Sequence, residues 1–463
     1  MAAGYDPTKP GDGARPVRSL GLFGLVAITF ASVAGGPYGF EDAVGAGGFT
    51  YTLFGLLAMP LLWQMPLALM TAELACMMPE NGGHILWVDR AFGRFWSYQN
   101  SYWTLASFIF EGALFPVLFM DYFSAATGWQ LSSVERGCLG TAVLLLCFCV
   151  NVYGPSMVAN SSVVFSVAGL SPFFLFCVLG VGRLWSSSED GGLQSVLAEQ
   201  PPEQRVRWGP FLTILLWNSA GYDMLGACAG DVKRPERNFP LSLCITLVAT
   251  VLIDGLAILV GMTVVQDSST WTDGTFEVVA GVLGGQPLVS YFTACAAIST
   301  LGLQCTLLML AARVIQGMAS MDSLPRVLAT VHPRYHTPWV AMLALCGVMG
   351  LFMNVDFVHL AELEMWFYAL STVMKFAALA VLREKEPSAP RPFRVPVRSK
   401  LGMRVFCAVP VCCCLLMLAR SNLHNHLIGL AGCTMSMLAA LLHTLRAPQS
   451  RKGFIDFSAL DDL

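Results

Sequence analysis

The sequence predicts an all-α membrane protein of twelve transmembrane helices, built as two five-helix repeats of inverted topology followed by two accessory helices. The composition is 55% hydrophobic and 12% charged, whereas a soluble domain carries about 25% charged residues. Twelve apolar segments are long enough to cross a bilayer, which takes roughly 20 residues each. Two of these segments are interrupted at corresponding places, five spans apart, as in inverted-repeat transporters.

The distribution of Lys and Arg predicts that both termini are cytosolic. The tails and the loops of one side hold 21 of these residues, while the alternate loops hold five. Cytosolic loops are the ones enriched in Lys and Arg. The 15 cysteines lie mostly inside apolar segments, so we expect them to pack as small apolar residues rather than to form disulfides or metal sites.

These observations divide the chain into six parts. They are a cytosolic tail (1–18), a first repeat with spans 1 to 5 (19–185), an extracellular loop (186–208), a second repeat with spans 6 to 10 (209–384), a cytosolic loop with spans 11 and 12 (385–446), and a cytosolic tail (447–463).

The two interrupted spans predict where a substrate would bind. Span 1 breaks at Gly35-Gly36-Pro37 and continues as a half-helix with Glu41 and Asp42, and span 6 breaks at 218–223. Irregular backbone inside a membrane must be buried in protein or line a cavity. A single Gly-Gly-Pro is also found at simple kinks, but paired breaks favour a site at the middle of the membrane.

Acidic side chains inside the spans indicate a cationic substrate. Each charged residue at the centre of a membrane helix costs roughly 2.5 to 3.5 kcal/mol on insertion scales. The acids in or near spans are Glu73, Glu111, Asp223, Asp254 and Glu364, against one lysine, Lys375. In span 3 the residues Asn100, Thr104, Ser107 and Glu111 follow a 4, 3, 4 spacing, as do Glu364, Tyr368, Ser371 and Lys375 in span 10. Each spacing predicts one polar helix face.

Several of these residues also have a purely structural interpretation. Glu73, near the end of span 2, could anchor loop donors, and Asp254 shows no polar stripe around it. Glu362 lies on another face of span 10 than Glu364, and we expect it to extend to the outer membrane surface. The aromatic residues Tyr38, Trp217, Tyr222 and Tyr368 could serve for packing alone, and Lys375 could neutralise part of the field of Glu364.

Five motifs together resemble the polyamine uptake transporters of plants and trypanosomatid parasites, within the amino acid/polyamine/organocation superfamily. The motifs are Gly35-Gly-Pro-Tyr-Gly-Phe-Glu-Asp42, Pro79-Glu-Asn-Gly-Gly83, Ala113-Leu-Phe-Pro-Val-Leu-Phe119 with Asp121-Tyr122, Tyr222-Asp223, and Arg391-Pro-Phe-Arg-Val-Pro396. The resemblance implies a leucine-transporter-like bundle that performs proton-coupled uptake of putrescine or spermidine at the plasma membrane.

The resemblance also implies roles for single residues. Gly35, Gly36 and Tyr38 match the unwound element of span 1, Glu111 the acid of span 3, Asp223 the acid of span 6, and Glu364 with Tyr368 the pair of span 10. Asn218 and Tyr222 lie at the second break and complete the candidate substrate site. Plant members carry an acid where this chain has Lys375, and the span 5 lysine of some proton-coupled relatives is absent.

A polyamine presents two or more ammonium groups and no carboxylate. Amino acid carriers of this architecture hold a carboxylate on free backbone N–H groups at the span 1 break, where Pro37 removes one donor. We therefore expect Glu111 and Asp223 to hold one ammonium group and Glu364 with Tyr368 to hold the other. Glu111 is the first candidate for the coupling proton and Glu73 the second.

Other functions remain open at this point. The alternatives are a carrier of cationic or neutral amino acids and a nutrient sensor that binds without transport. No His-Glu-x-x-His or Gly-x-Ser-x-Gly motif occurs, so we expect no enzyme activity, metal or cofactor. The expected partners are a polyamine, protons and the lipid bilayer, with no nucleic acid.

Overall fold

A computed structural model describes residues 20–33, 36–79, 83–153, 155–185, 206–320, 324–335 and 337–446. The candidate residue Gly35, both predicted tails and most of the predicted extracellular loop lie outside these ranges. Within them the regular structure is helical, apart from one parallel bridge between Leu20 and Val232.

Fourteen α-helices are present in the described ranges. They are α1 (Leu22–Val33), α2 (Glu41–Met59), α3 (Met65–Met77), α4 (His84–Phe92), α5 (Arg94–Thr127), α6 (Ser133–Val152), α7 (Pro155–Gly180), α8 (Trp208–Trp217), α9 (Pro235–Val264), α10 (Thr275–Ser320), α11 (Trp339–Met349), α12 (Phe357–Lys385), α13 (Lys400–Arg420) and α14 (Leu423–Arg446). A π-helical turn (Pro60–Gln64) joins α2 to α3, and a 3₁₀ segment (Tyr222–Asp231) follows α8.

Eight helical segments of the described chain are long and apolar enough to cross a membrane. They are Glu41–Met77, Arg94–Ser124, Ser133–Val152, Val167–Leu184, Pro235–Val264, Thr275–Ala319, Phe357–Lys385 and Lys400–Arg420. Two shorter apolar helices, Leu22–Val33 and Trp339–Phe352, accompany them. The protein is therefore an all-helical, multi-pass membrane protein.

Both predicted helix breaks occur. Helix α1 ends at Val33, and Gly36 and Gly39 then adopt φ angles of +124° and +84°, which favour glycine. Helix α8 ends at Trp217, and Gly221, with φ +90°, precedes the 3₁₀ segment. A Cβ atom on Gly221 would lie 2.6 Å from the carbonyl oxygen of Ser32, so the two breaks are in direct contact.

A kink rather than a loop separates the half-helix of span 1 from the helical segment that follows. The half-helix that begins at Glu41 does not end in a loop but continues to Met59 through a kink at Gly48, whose φ is +74°. A similar kink at Gly285, with φ +66°, joins two helical pieces of α10. A single glycine with positive φ changes the helix direction without a connecting loop, and an apolar sequence pattern does not show such a change.

The helices that surround the protein centre are α5, α10 and α12. Helix α5 packs extensively against both of the others, and most residues of its apolar segment are buried. Helix α13, in contrast, exposes large apolar side chains such as Leu415 and Leu416, as expected for a helix that faces lipid. Residues on the mutual faces of α5, α10 and α12 are therefore the ones placed to form an internal site.

Candidate functional site

A cavity lies between the two helix breaks and the helices α5, α10 and α12. Its polar and aromatic lining consists of Ser32, Tyr38, Glu111, Phe115, Trp217, Asn218, Glu364 and Tyr368, and Gly221, Met224 and Leu303 are among the residues that complete the wall. Five of the nine predicted substrate residues, Tyr38, Glu111, Asn218, Glu364 and Tyr368, are thus brought together around one cavity.

Two carboxyl groups face this cavity without a complete set of partners. Glu111 of α5 is 8% exposed and Glu364 of α12 is 2% exposed. Ser107 donates a hydrogen bond of 2.7 Å to Oε1 of Glu364, but Oε2 of Glu364 and Oε2 of Glu111 have no hydrogen-bond partner within the described residues. A buried carboxylate is unfavourable unless it is paired or hydrogen-bonded, so both groups are suited to a cationic ligand.

The polar faces predicted on spans 3 and 10 meet each other along α5 and α12. Besides the bond from Ser107 to Glu364, the hydroxyl groups of Thr104 and Ser371 lie 3.0 Å apart. We call these four residues the α5–α12 seam. Because residues four and three positions apart lie on the same face of a helix, two stripes of matching spacing can remain in contact over several turns. The seam fixes Glu364 beside the cavity.

Asp223 is not part of the cavity lining. Its carboxylate forms an ion pair with Lys375. Both side chains are almost fully buried, and Tyr368 donates a hydrogen bond of 2.5 Å to Oδ1 of Asp223 while Lys375 binds Oδ2. The Lys375 Nζ atom also lies 4.9 Å from the centre of the Tyr368 ring. Lys375 therefore pairs directly with the acid of the second break, and not with Glu364 on its own helix.

The other predicted site residues are held by the protein itself. The Tyr38 hydroxyl donates to the Gly169 carbonyl at 3.3 Å, and its ring packs edge-on against Phe173. The Asn218 side chain donates to the Ile214 carbonyl at 3.1 Å. Tyr222 lies 3.3 Å from the Thr250 hydroxyl of α9 and is not part of the cavity wall, and neither is Gly36.

Glu73 lies away from the cavity in a cluster of basic and backbone donors. It is fully buried and forms ion pairs with Arg383 and Arg391. The Val395 amide also donates to its Oε2 at 2.8 Å. These contacts join α3 to the end of α12 and to the following loop, and they support the interpretation of Glu73 as a structural anchor.

Two expectations about other acids are wrong. Asp254 belongs to a buried polar stripe on α9, formed with Ser242, Thr246 and Thr250 at intervals of four residues. Glu362 is only 7% exposed and accepts hydrogen bonds from Asn422 and Asn425 at 3.0 Å and 2.5 Å. Glu362 faces α14 rather than the membrane surface, because the two asparagines donate hydrogen bonds to its carboxylate inside the protein.

The cysteines of the described ranges are free, and several of them, such as Cys138 and Cys412, are exposed. No group of three or more His, Cys, Asp or Glu side chains that could hold a metal ion occurs in the described ranges. The cavity lining includes carboxyl groups and aromatic rings, and such groups can bind an ammonium group through carboxylate oxygens and ring faces.

Comparison with known proteins places this geometry in a family. Residues 20–430 match the amino acid permease family. The polyamine transporter RMV1 of Arabidopsis thaliana is 29% identical over 464 residues, which covers 100% of this chain and 92% of that protein.

Two further relatives carry the same description. A probable polyamine transporter of Arabidopsis thaliana is 33% identical over 86% of this chain and 81% of its own length. The polyamine transporter PUT1 of rice, Oryza sativa subsp. japonica, is 29% identical over 99% of this chain and 85% of its own length. The resemblance noted in the sequence is confirmed, and the relatives are transporters rather than enzymes. By the extent of these matches, the chain is a membrane transporter that belongs to the amino acid permease family.

Proposed function

We propose that this chain is a secondary active transporter that takes up polyamines, such as putrescine and spermidine, together with protons across the plasma membrane by alternating access. The proposal includes twelve membrane crossings, a five-plus-five inverted repeat and two cytosolic termini. The observation that carries it is the pair of incompletely partnered carboxyl groups, Glu111 and Glu364, on facing helices at one cavity. The descriptions of the relatives support the same substrate class.

The chemistry of the cavity lining suits an aliphatic chain with an ammonium group at each end. In this proposal Glu111 binds one end and Glu364 the other, while Asp223 takes no direct part because Lys375 pairs with its carboxylate. Ser107 bonds to Glu364 and lies four residues before Glu111, a rise of about 6 Å along α5. The rings of Trp217 and Tyr368 line the space between the breaks and offer faces to methylene and ammonium groups.

Glu111 is the proposed site of the coupling proton. It lines the cavity and has one oxygen without a partner within the described residues, so a proton on this oxygen and a substrate ammonium group on the other oxygen can be bound together, as symport requires. Glu73, the second candidate, is paired with two arginines, and the proposal therefore gives the proton to Glu111. Deprotonation of Glu111 on one side of the membrane and protonation on the other would link the two fluxes.

Uptake of labelled putrescine by Glu111→Gln at several pH values tests this assignment. We expect a lower rate and a flatter dependence on external pH, because glutamine can bind neither the proton nor the ammonium group. Glu362→Gln is the matched control: this acid faces α14 and should leave both quantities near the wild-type values. A wild-type rate and pH profile in Glu111→Gln would remove Glu111 from the mechanism.

A competition panel separates polyamine transport from amino acid transport. One relative, the serine/threonine exchanger SteT of Bacillus subtilis, is 25% identical over 70% of this chain, which makes amino acids the proper comparison. We expect excess spermidine to suppress putrescine uptake, and excess serine, threonine or arginine to leave it unchanged. Suppression by the amino acids alone would replace the proposal with an amino acid carrier.

A further inference from the structure

Lys375 lies beside the candidate site, in contact with Tyr368 of the cavity wall, and it is held inside the protein. Its side chain is 2% exposed, as is that of its partner Asp223. Both oxygens of Asp223 have a donor, Lys375 on one and the Tyr368 hydroxyl on the other. A substrate ammonium group that approached Asp223 would therefore meet an ammonium group of the protein already in place.

Tyr368 connects this ion pair to the cavity. The tyrosine lines the cavity, donates to Asp223, and presents its ring to the Lys375 ammonium group at 4.9 Å. Glu111 and Glu364 both lie within electrostatic reach of Asp223 and Lys375. In a buried site the effective dielectric is low, so each of these charges is felt by a ligand in the cavity.

Resting on the proposed function, we propose that Lys375 acts as a built-in counter-ion that cancels the charge of Asp223 and so makes the transporter selective for aliphatic diamines over triamines. Glu111 and Glu364 line the cavity, while Asp223 lies behind Tyr368 and is paired with the lysine. Of these three acids, Glu111 and Glu364 are therefore the two that can pair with ligand. A third ammonium group on a longer polyamine would find no free carboxylate and would be repelled by Lys375. Without the lysine charge, Asp223 becomes available to that third group.

The test compares KM for putrescine and for spermidine in cells that express the full chain. Lys375→Met keeps an unbranched side chain and removes the charge, so we expect the preference to move toward spermidine by about tenfold. Lys375→Arg keeps a charge and should retain the wild-type preference. The double variant Asp223→Asn with Lys375→Met removes both charges, and it should also retain that preference. Lys385→Met, an exposed lysine on the same helix, is the matched control.

Each outcome decides the inference. An unchanged ratio of the KM for putrescine to the KM for spermidine in Lys375→Met overturns it. A double variant whose ratio departs from the wild-type ratio as far as that of Lys375→Met also overturns it. Lys375→Met could fail to fold because it leaves Asp223 buried without its ion pair. The double variant then decides, since it leaves neither charge unpaired: a wild-type ratio supports the inference, and lost discrimination overturns it. If the wild-type chain takes up neither amine, the proposed function itself fails, which is a distinct result.

Discussion

At the scale of single residues, the buried acids of this protein differ in what they contact. Glu73 is bound by two arginines and a backbone amide, and Asp223 by a lysine and a tyrosine. Glu111 and Glu364 line the cavity, and each has one oxygen without a partner within the described residues. Asp254 has a partnerless oxygen too, but it lies on the buried stripe of α9. A carboxyl group saturated by protein donors stabilises the fold, whereas one facing a cavity can bind a ligand.

The Glu73 cluster gives a prediction about stability. Glu73→Gln would leave Arg383 and Arg391 partly unpaired in a buried setting, and breaking a buried ion pair in this way typically costs about 3–5 kcal/mol. Glu386→Gln is the control, because its ion pair with Arg90 is largely exposed and such pairs contribute about 0–1 kcal/mol. Apparent thermal unfolding in detergent should show a clear loss for Glu73→Gln only. Equal, small shifts in both variants would argue against an anchoring role.

Local spacing made some of these residues predictable and left others out of reach. Glu111 and Glu364 follow from the 4, 3, 4 stripes, since the face of a helix is a property of neighbouring residues. The partner of Asp223 does not follow, because Lys375 is 152 positions away in the chain and only the packing of α12 against the second break brings them together. The stripe of Asp254 was local and could have been found by counting every fourth residue of α9.

At the scale of helices, the contact between the two breaks organises the cavity. Ser32 at the end of α1 and Gly221 after α8 approach so closely that Gly221 has no room for a side chain. The Gly and Pro residues made both breaks predictable, but not this contact, since it depends on the relative position of two halves of the chain. The walls contributed by α5 and α12 complete an enclosure that neither break forms alone.

Gly221→Ala tests the importance of this contact. The new Cβ atom would meet the Ser32 carbonyl oxygen at 2.6 Å, and φ at this position is +90°, a value that alanine rarely adopts. We expect a loss of uptake of tenfold or more, measured as initial rate per transporter at the cell surface, or a failure to accumulate. Gly255→Ala in α9, where a Cβ atom would have nothing within 4 Å, should be neutral or slightly stabilising. Indistinguishable behaviour of the two variants would show that the contact is dispensable.

At the scale of the whole molecule, acids from several elements gather at one end of the protein. Asp42 of α2, Asp121 of α5, Asp273 from the loop before α10, and Asp356 at the start of α12 act on one another electrostatically. Arg136 pairs with Asp121 at 2.9 Å, and Arg207 acts on Asp42. Negative charge at the end of a transporter attracts cations and raises their local concentration.

The effect of these acids on one another can be measured through the dependence of stability on pH at Asp273. Burial and the charges of Asp42 and Glu41 raise the pKa of Asp273 well above its ordinary value. In the unfolded chain its pKa returns to about 3.9. Above that pH the folded protein keeps a proton that the unfolded chain releases, so the contribution of this group to stability decreases as pH rises. Asp273→Asn removes that decrease, and its advantage in thermal unfolding should grow from about pH 4 upward.

Asp267 supplies the control with the opposite sign. It is fully exposed, and hydrogen bonds from the backbone and hydroxyl of Ser269 lower its pKa. Its folded form therefore gains stability as pH rises through its pKa, and Asp267→Asn should lose a small part of that gain. A stability difference between Asp273→Asn and the wild type that stays constant over the whole pH range would contradict the assigned environment of Asp273.

The π-helical turn at Pro60–Gln64 has a consequence for the far end of its helix. A π turn accommodates roughly one more residue than an α turn, and successive α-helical residues differ in direction by about 100° around the axis. Had Pro60–Gln64 continued as a regular α-helix, the Glu73 carboxylate would point about a quarter turn away from Arg383 and Arg391. The π-helical turn, which ends nine residues before Glu73, thus sets the direction in which the Glu73 carboxylate points from α3 toward Arg383 and Arg391.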